Sequence, residues 1–216
     1  MKKIKLLSAL FSTACLFFIA IPQAKAVTAC SAVTGQLVAN CSFGTGTFSG
    51  WTLSGADVPT QLNNLYGVEG TDPVDGISPI TGSYQAFFAD LSTSPTTISQ
   101  SIATAAGSTY TVSFDIAQDT APTAGGGSYT NLFAAQFGSS TLVASSVIPM
   151  EGYTAYSFTE VASGPTSVLS LTFGNDNGEF LLDNVSVVAP EPAAWALMAG
   201  GLAIAFFLRR KFAAAR

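Results

Sequence analysis

Carboxylates are the only side chains in the long central part of this chain able to act as general acids or bases near neutral pH. Between Val27 and Ala189 the 216-residue sequence has no Lys, Arg or His. Of its thirteen Asp and Glu residues only Glu191 lies outside that span, which leaves twelve carboxylates and a formal charge of −12. Without His or Lys there is no base poised near neutrality, and without Arg no guanidinium can hold an oxyanion or phosphate. Composition therefore excludes Ser-His-Asp and Cys-His chemistry. It leaves a carboxylate pair of the glycoside-hydrolase kind or metal-assisted hydrolysis with oxygen ligands, and no motif points to either. The same charge excludes nucleic-acid binding, which depends on cations displacing counterions from phosphate. The expected domain is not an enzyme, with a carboxylate-dependent glycoside hydrolase as the alternative.

Two groups of residues carry the remaining chemistry. In the strand pattern ending the central region, Leu181, Asp183, Val185 and Val187 alternate onto one face. If that face is the core, Asp183 is a carboxylate among aliphatic side chains and requires backbone N–H donors, a proton or a metal ion. Asp72-Pro73-Val74-Asp75-Gly76 lacks the further acids of a calcium loop and reads as a surface turn. The second group is aromatic. Trp51, Tyr129 and Tyr153 are candidate platforms for stacking a sugar ring, although Trp51, beside Ser49-Gly50 at a strand start, fits core or edge packing better.

These residues must be positioned by β structure. Short runs rich in Thr, Val, Ser and Phe are broken by Gly, Pro and Asn at regular intervals, and helix signals are nearly absent. Strands are expected at Gln36–Val38, Trp51–Ser54, Ser83–Ala89, Thr96–Ile102, Tyr110–Ala117, Asn131–Phe137, Leu142–Val147, Thr154–Glu160, Val168–Phe173 and Phe180–Val188. About ten strands suit an all-β, two-sheet jelly-roll sandwich spanning residues 27–189. Asp119–Ser128, with Pro122 and Gly125-Gly126-Gly127, reads as a loop.

Both ends differ from this domain. Residues 1–26 combine Lys2, Lys3 and Lys5, an apolar stretch from Leu6 to Ile21 and Ala24-Lys25-Ala26, the form of a cleavable signal peptide. An exported chain meets an oxidising compartment, so Cys30 and Cys41, the two cysteines of the remainder, are expected to form a disulfide, with two free thiols as the alternative. Residues 190–216 run from Pro190-Glu191-Pro192 through an uncharged apolar stretch at 193–208 to Arg209-Arg210-Lys211. As a helix that stretch would reach roughly 24 Å at ~1.5 Å per residue, a marginal membrane span with cations placed as a cytoplasmic stop.

The triplet, the apolar helix with Trp195 and Gly200-Gly201, and the basic end together resemble the PEP-CTERM sorting signal. That resemblance implies recognition by an exosortase-type processing enzyme, a transient membrane anchor through the C-terminal transmembrane helix, and delivery to the cell surface or extracellular polymer. Within the domain, Leu37-Val38-Ala39-Asn40-Cys41-Ser42-Phe43, Phe48-Ser49-Gly50-Trp51, Ile98-Ser99-Gln100-Ser101-Ile102, Gly107-Ser108-Thr109-Tyr110-Thr111-Val112-Ser113-Phe114 and Leu182-Asp183-Asn184-Val185-Ser186-Val187 follow the order of galactose-binding-like jelly rolls. This resembles carbohydrate-binding modules. The resemblance implies a structural, adhesive or polysaccharide-binding role. It also implies a structural calcium between Asp183 and the N-terminal segment, although Gly44 stands where many relatives carry a Glu ligand.

Overall fold

Alternating apolar and polar side chains shape most of the chain into strands, because a strand can bury one face only if every second residue is apolar. In the computed structural model, residues 29–55, 65–73, 76–118, 131–144, 152–176 and 178–189 are described. Among them are ten strands: β1 Thr52–Ser54, β2 Tyr66–Glu69, β3 Gln85–Phe88, β4 Thr96–Ala103, β5 Thr109–Gln118, β6 Asn131–Phe137, β7 Ser140–Val143, β8 Thr154–Val161, β9 Thr166–Asn175 and β10 Phe180–Val188. They form two five-stranded sheets with orders β1-β4-β9-β6-β7 and β2-β3-β10-β5-β8. All pairings within them are antiparallel. The all-β jelly-roll sandwich expected from sequence is the observed fold.

Aromatic rings fill the space between the sheets. Phe88 of one sheet stacks on Phe173 of the other, with centroids 4.0 Å apart and planes 2° from parallel. Phe133 and Phe180 pack around Phe173 at 5.4 and 6.1 Å, and Phe114 meets Phe133 edge-on at 5.6 Å. The N-terminal segment seals one edge of this core. Cys30 begins a single 3-10 turn, Cys30–Ala32, and is bonded to Cys41, with Cα atoms 6.1 Å apart. The expected disulfide is therefore present. Leu37 N–H donates to the Val187 carbonyl at 2.9 Å, and Val185 N–H donates to the Cys41 carbonyl at 2.8 Å.

Three expectations are corrected. Gln36–Val38 is no strand: Gln36 makes only an isolated bridge to Val188, and its side-chain Oε1 takes the Val38 N–H at 3.0 Å and shares the Leu37 N–H, at 2.9 Å, with the Val187 carbonyl. The four-residue β2 was missed, since Tyr-Gly-Val-Glu is too short to show alternation and Gly67 argues against a strand. A Cβ there would lie 2.5 Å from the Phe87 ring, so any other residue would have to displace that half-buried side chain. Finally, the expected transmembrane helix is not supported: among the described residues no helix is long and apolar enough to cross a membrane. Residues 1–26 and the 193–208 stretch lie outside the described residues. The membrane partner and the transiently anchored, cell-surface localisation depended on that helix and are withdrawn with it.

Truncating Phe173, which touches three other rings, leaves a cavity that rigid sheets cannot close. Phe173→Ala is expected to cost about 3–5 kcal/mol, measured as a lowered urea midpoint with an unchanged slope.

Candidate functional site

One extra residue in β10 decides where the carboxylates point. Asp183 pairs with Asp115 of β5, but the next matched pair is Ser186 with Ser113, so β10 spends three residues where β5 spends two. This is a β-bulge, and Asn184 takes φ 55° within it. Phe180 and Leu182 before the bulge and Val185 and Val187 after it all join the core. Asp183 alternates with Leu182 and therefore lies on the opposite, outward face of the sheet. The single-face reading of Leu181, Asp183, Val185 and Val187 fails at this bulge.

A polar row crosses the sheet at this level. Glu69 of β2 pairs with Gln85 of β3. The pairing of Leu182 with Ala86 sets Gln85 beside Asp183, which faces Asp115, which in turn faces Ala155 of β8. Although they lie on an outer face, Gln85 and Asp183 are both 0 % exposed. Among the described residues, two elements contact them from above. Thr81 N–H donates to Asp183 Oδ2 at 2.8 Å, and Tyr153 Oη donates to Gln85 Oε1 at 2.7 Å. Gln85 Nε2 donates to Glu69 Oε1 at 3.3 Å and to the Ile77 carbonyl at 3.1 Å. Asn184 N–H donates to Asp183 Oδ1 at 2.6 Å, and Asn184 Nδ2 to Asp115 Oδ2 at 2.9 Å.

No cation exists between residues 27 and 189, so the row is electrostatically one-signed. Burial pushes the Asp183 carboxyl up to about 6; backbone donors from Thr81, Asn184 and Ile80 oppose the shift, and Asp115 adds to it. Burial likewise raises Asp115, against the Asn184 hydrogen bond, and Glu69, against that of Gln85. The Tyr153 phenol is pushed up by burial and by the fields of Asp183, Asp115, Glu69 and Glu179. It remains a neutral hydrogen-bond donor. Asp115 and Asp183 lie side by side beneath cover, whereas a hydrolase needs two acids flanking an open bond.

The oxygen groups best placed for a metal ion lie at one end of this row. Carboxylate oxygens of Glu69, Asp72 and Glu179 fall within 4.8 Å of one another. Asp72 is 2 % exposed, so the expected surface turn instead carries a buried acid. An all-oxygen anionic set suits a hard cation such as calcium. The position expected from the family resemblance does not fit one: both Asp183 oxygens accept backbone N–H groups, and Gly44 offers no side-chain ligand. Asp72 is the residue that sequence reasoning discounted, because Glu69 and Glu179 are 3 and 107 positions away in the chain and only the fold unites them.

The other candidates are dispersed. Trp51 is buried, stacked on Phe43 at 6.0 Å, with its indole N–H donating to the Asn40 carbonyl at 3.4 Å; it packs in the core and presents no face to a sugar. Tyr153 joins the polar row. Tyr129, Pro190, Glu191, Pro192, Arg209, Arg210 and Lys211 lie outside the described residues.

Solved structures share this architecture. That of TmCBM61 in complex with β-1,4-galactotriose has a TM-score of 0.52 at 18 % identity, over 72 % of this chain and 99 % of that one. The likeness is one of fold. Two weaker likenesses are the bacteriophage CBA120 tailspike protein 4 enzymatically active domain, with a TM-score of 0.49 at 15 % identity over 72 % of this chain and 22 % of that one, and a family 16 carbohydrate-binding module, with 0.45 at 14 % over 70 % and 99 %. No protein-family model and no curated protein matches the chain.

Raised carboxyl pKa values set the sign of the pH dependence. Between about pH 4 and 6 the folded state retains protons that the unfolded chain has released, so stability is full below the ordinary carboxylate range and falls as pH rises through Asp183's value. The loss is expected to be on the order of 2 kcal/mol, read from thermal melts in chelator across pH 3.5 to 7. Asp183→Asn should flatten the profile. A profile rising over that range would contradict the assignment.

Proposed function

We propose that the domain is a non-catalytic polysaccharide-binding module, and that the outer face of the β2-β3-β10-β5-β8 sheet is its binding face. The observation that carries this is the polar row Glu69, Gln85, Asp183 and Asp115 with Tyr153 against it, on a fold shared with a galactotriose-binding protein. Carboxylate and amide oxygens accept hydroxyl donors, and a tyrosine supplies a face for a sugar ring. With no cation in the span, uncharged sugar chains suit this face better than acidic ones. A structural or adhesive role would use the same contact. Tyr129, which follows Gly125-Gly126-Gly127 in the sequence, is a further stacking candidate.

Two accessory features belong to this reading. Glu69, Asp72 and Glu179 would hold a calcium ion that neutralises the acidic end of the row. Pro190-Glu191-Pro192, followed by the apolar stretch and Arg209-Arg210-Lys211, would be recognised by an exosortase-type processing enzyme; the order of these segments in the sequence supports this.

Affinity electrophoresis through gels containing β-1,4-galactan, xylan or laminarin tests the main proposal. Retention in at least one gel is expected, weakened about tenfold or more by Tyr153→Ala, with a thermal melt verifying that the variant folds. No retention in a wider neutral-glycan panel would refute it. For the cation, millimolar calcium should raise the melting temperature over that in chelator by several degrees, and Asp72→Asn should abolish the difference. Replacing Pro190-Glu191-Pro192 by alanines should prevent a cleavage visible as a change in mass.

A further inference from the structure

Resting on the binding-face reading above, the geometry points to a second property: residues 77–81 are a displaceable strap that masks Gln85 and Asp183, and once it lifts the Asp183 carboxylate accepts a sugar hydroxyl while Gln85 Nε2 donates to a sugar oxygen. The row lies on the outward face of its sheet, yet Gln85 and Asp183 are wholly buried. Polar contacts hold the strap down. The Ile77 carbonyl accepts from Gln85 Nε2 at 3.1 Å, and Thr81 N–H and Oγ1 donate to Asp183 Oδ2 at 2.8 and 3.4 Å.

The strap's apolar residues, Ile77, Pro79 and Ile80, are half-buried and lie outside the sandwich core. Lifting the strap therefore exposes little apolar area and exchanges hydrogen bonds one for one. Each N–H donor at Asp183 occupies an oxygen that a sugar hydroxyl can take instead, so a ligand restores what it displaces. Glycines stand at both ends: Gly76 and Gly82 have φ +72° and +71°, and a Cβ at either would meet nothing within 4 Å. Both take a positive φ that glycine adopts without strain, with open space around the Cα.

A closed strap lowers apparent affinity by the fraction of molecules that are open. Thr81→Pro deletes the N–H that holds the strap and is expected to tighten retention by galactan, xylan or laminarin gels about tenfold, with faster hydrogen exchange at residues 80 and 82. The opposite variant is Thr71→Cys with Ser78→Cys, whose native hydroxyls stand 3.0 Å apart. Oxidised, this pair closes a loop around Gly76 and should abolish retention. Mild reductant should restore it while leaving the wild-type chain, treated alike, unchanged.

Thermal melts verify folding, and the cysteine pair alone suffices should Thr81→Pro unfold. Retention of the oxidised pair equal to wild type, or Thr81→Pro binding no tighter, overturns the strap and leaves the binding reading intact. Failure of the wild-type chain and both variants to bind any polymer of the wider neutral-glycan panel overturns that reading and the strap with it.

Discussion

Everything at this site depends on the bulge in β10. Without the extra residue, Asp183 and the valines after it would share one face, and either the carboxylate would enter the aromatic core or Val185 and Val187 would leave it. Both alternatives are costly, the first because an unpaired charge in an apolar interior is strongly unfavourable. Asn184 adopts φ 55° at the bulge, where asparagine is better tolerated than most residues. Asn184 then makes three contacts, two with its side chain and one with its backbone. Its Oδ1 accepts the Cys30 N–H at 2.5 Å, its Nδ2 reaches Asp115, and its backbone N–H caps Asp183.

A second constraint is the lack of any cation between residues 27 and 189. In most proteins a buried carboxylate is matched by Arg or Lys. Here the available compensations are amide and hydroxyl donors, protons and metal ions, and the structure distributes its carboxylates among them. Asp183 takes backbone N–H groups, Asp115 an asparagine side chain, and Glu69 a glutamine side chain. The group of Glu69, Asp72 and Glu179 has the oxygen set for a hard cation. Such a network is held in a low-dielectric setting where each bond is strong and each loss expensive. Its natural substitutes are other neutral donors, and sugar hydroxyls are of that kind.

Much of this fold was legible beforehand, for a physical reason that can be seen strand by strand. Tyr110, Val112, Phe114 and Ile116 alternate with polar residues and all four are buried; Leu169, Leu171 and Phe173 behave the same way. Where the signal was short or broken it failed. β2 has four residues and a glycine, and Gln36 satisfies its neighbours' N–H groups with its own side chain. Asp183 was recognised as a carboxylate in need of partners, but its side of the sheet was not readable, because a bulge leaves no period-two trace in the sequence.

By itself the sequence determined the local and compositional properties: an all-β chain, a one-signed charge, the absence of nucleophile-base chemistry, and two cysteines placed to pair. These follow from residue type and short-range spacing, which act before any long-range contact forms. Tertiary structure decided what depends on register. It set Asp115 opposite Asp183, brought Glu69, Asp72 and Glu179 within reach of one another, drew Trp51 into the core and laid residues 77–81 over the polar row. A shift of one residue in pairing reverses which face a side chain occupies, and only closure of the whole sandwich sets that register.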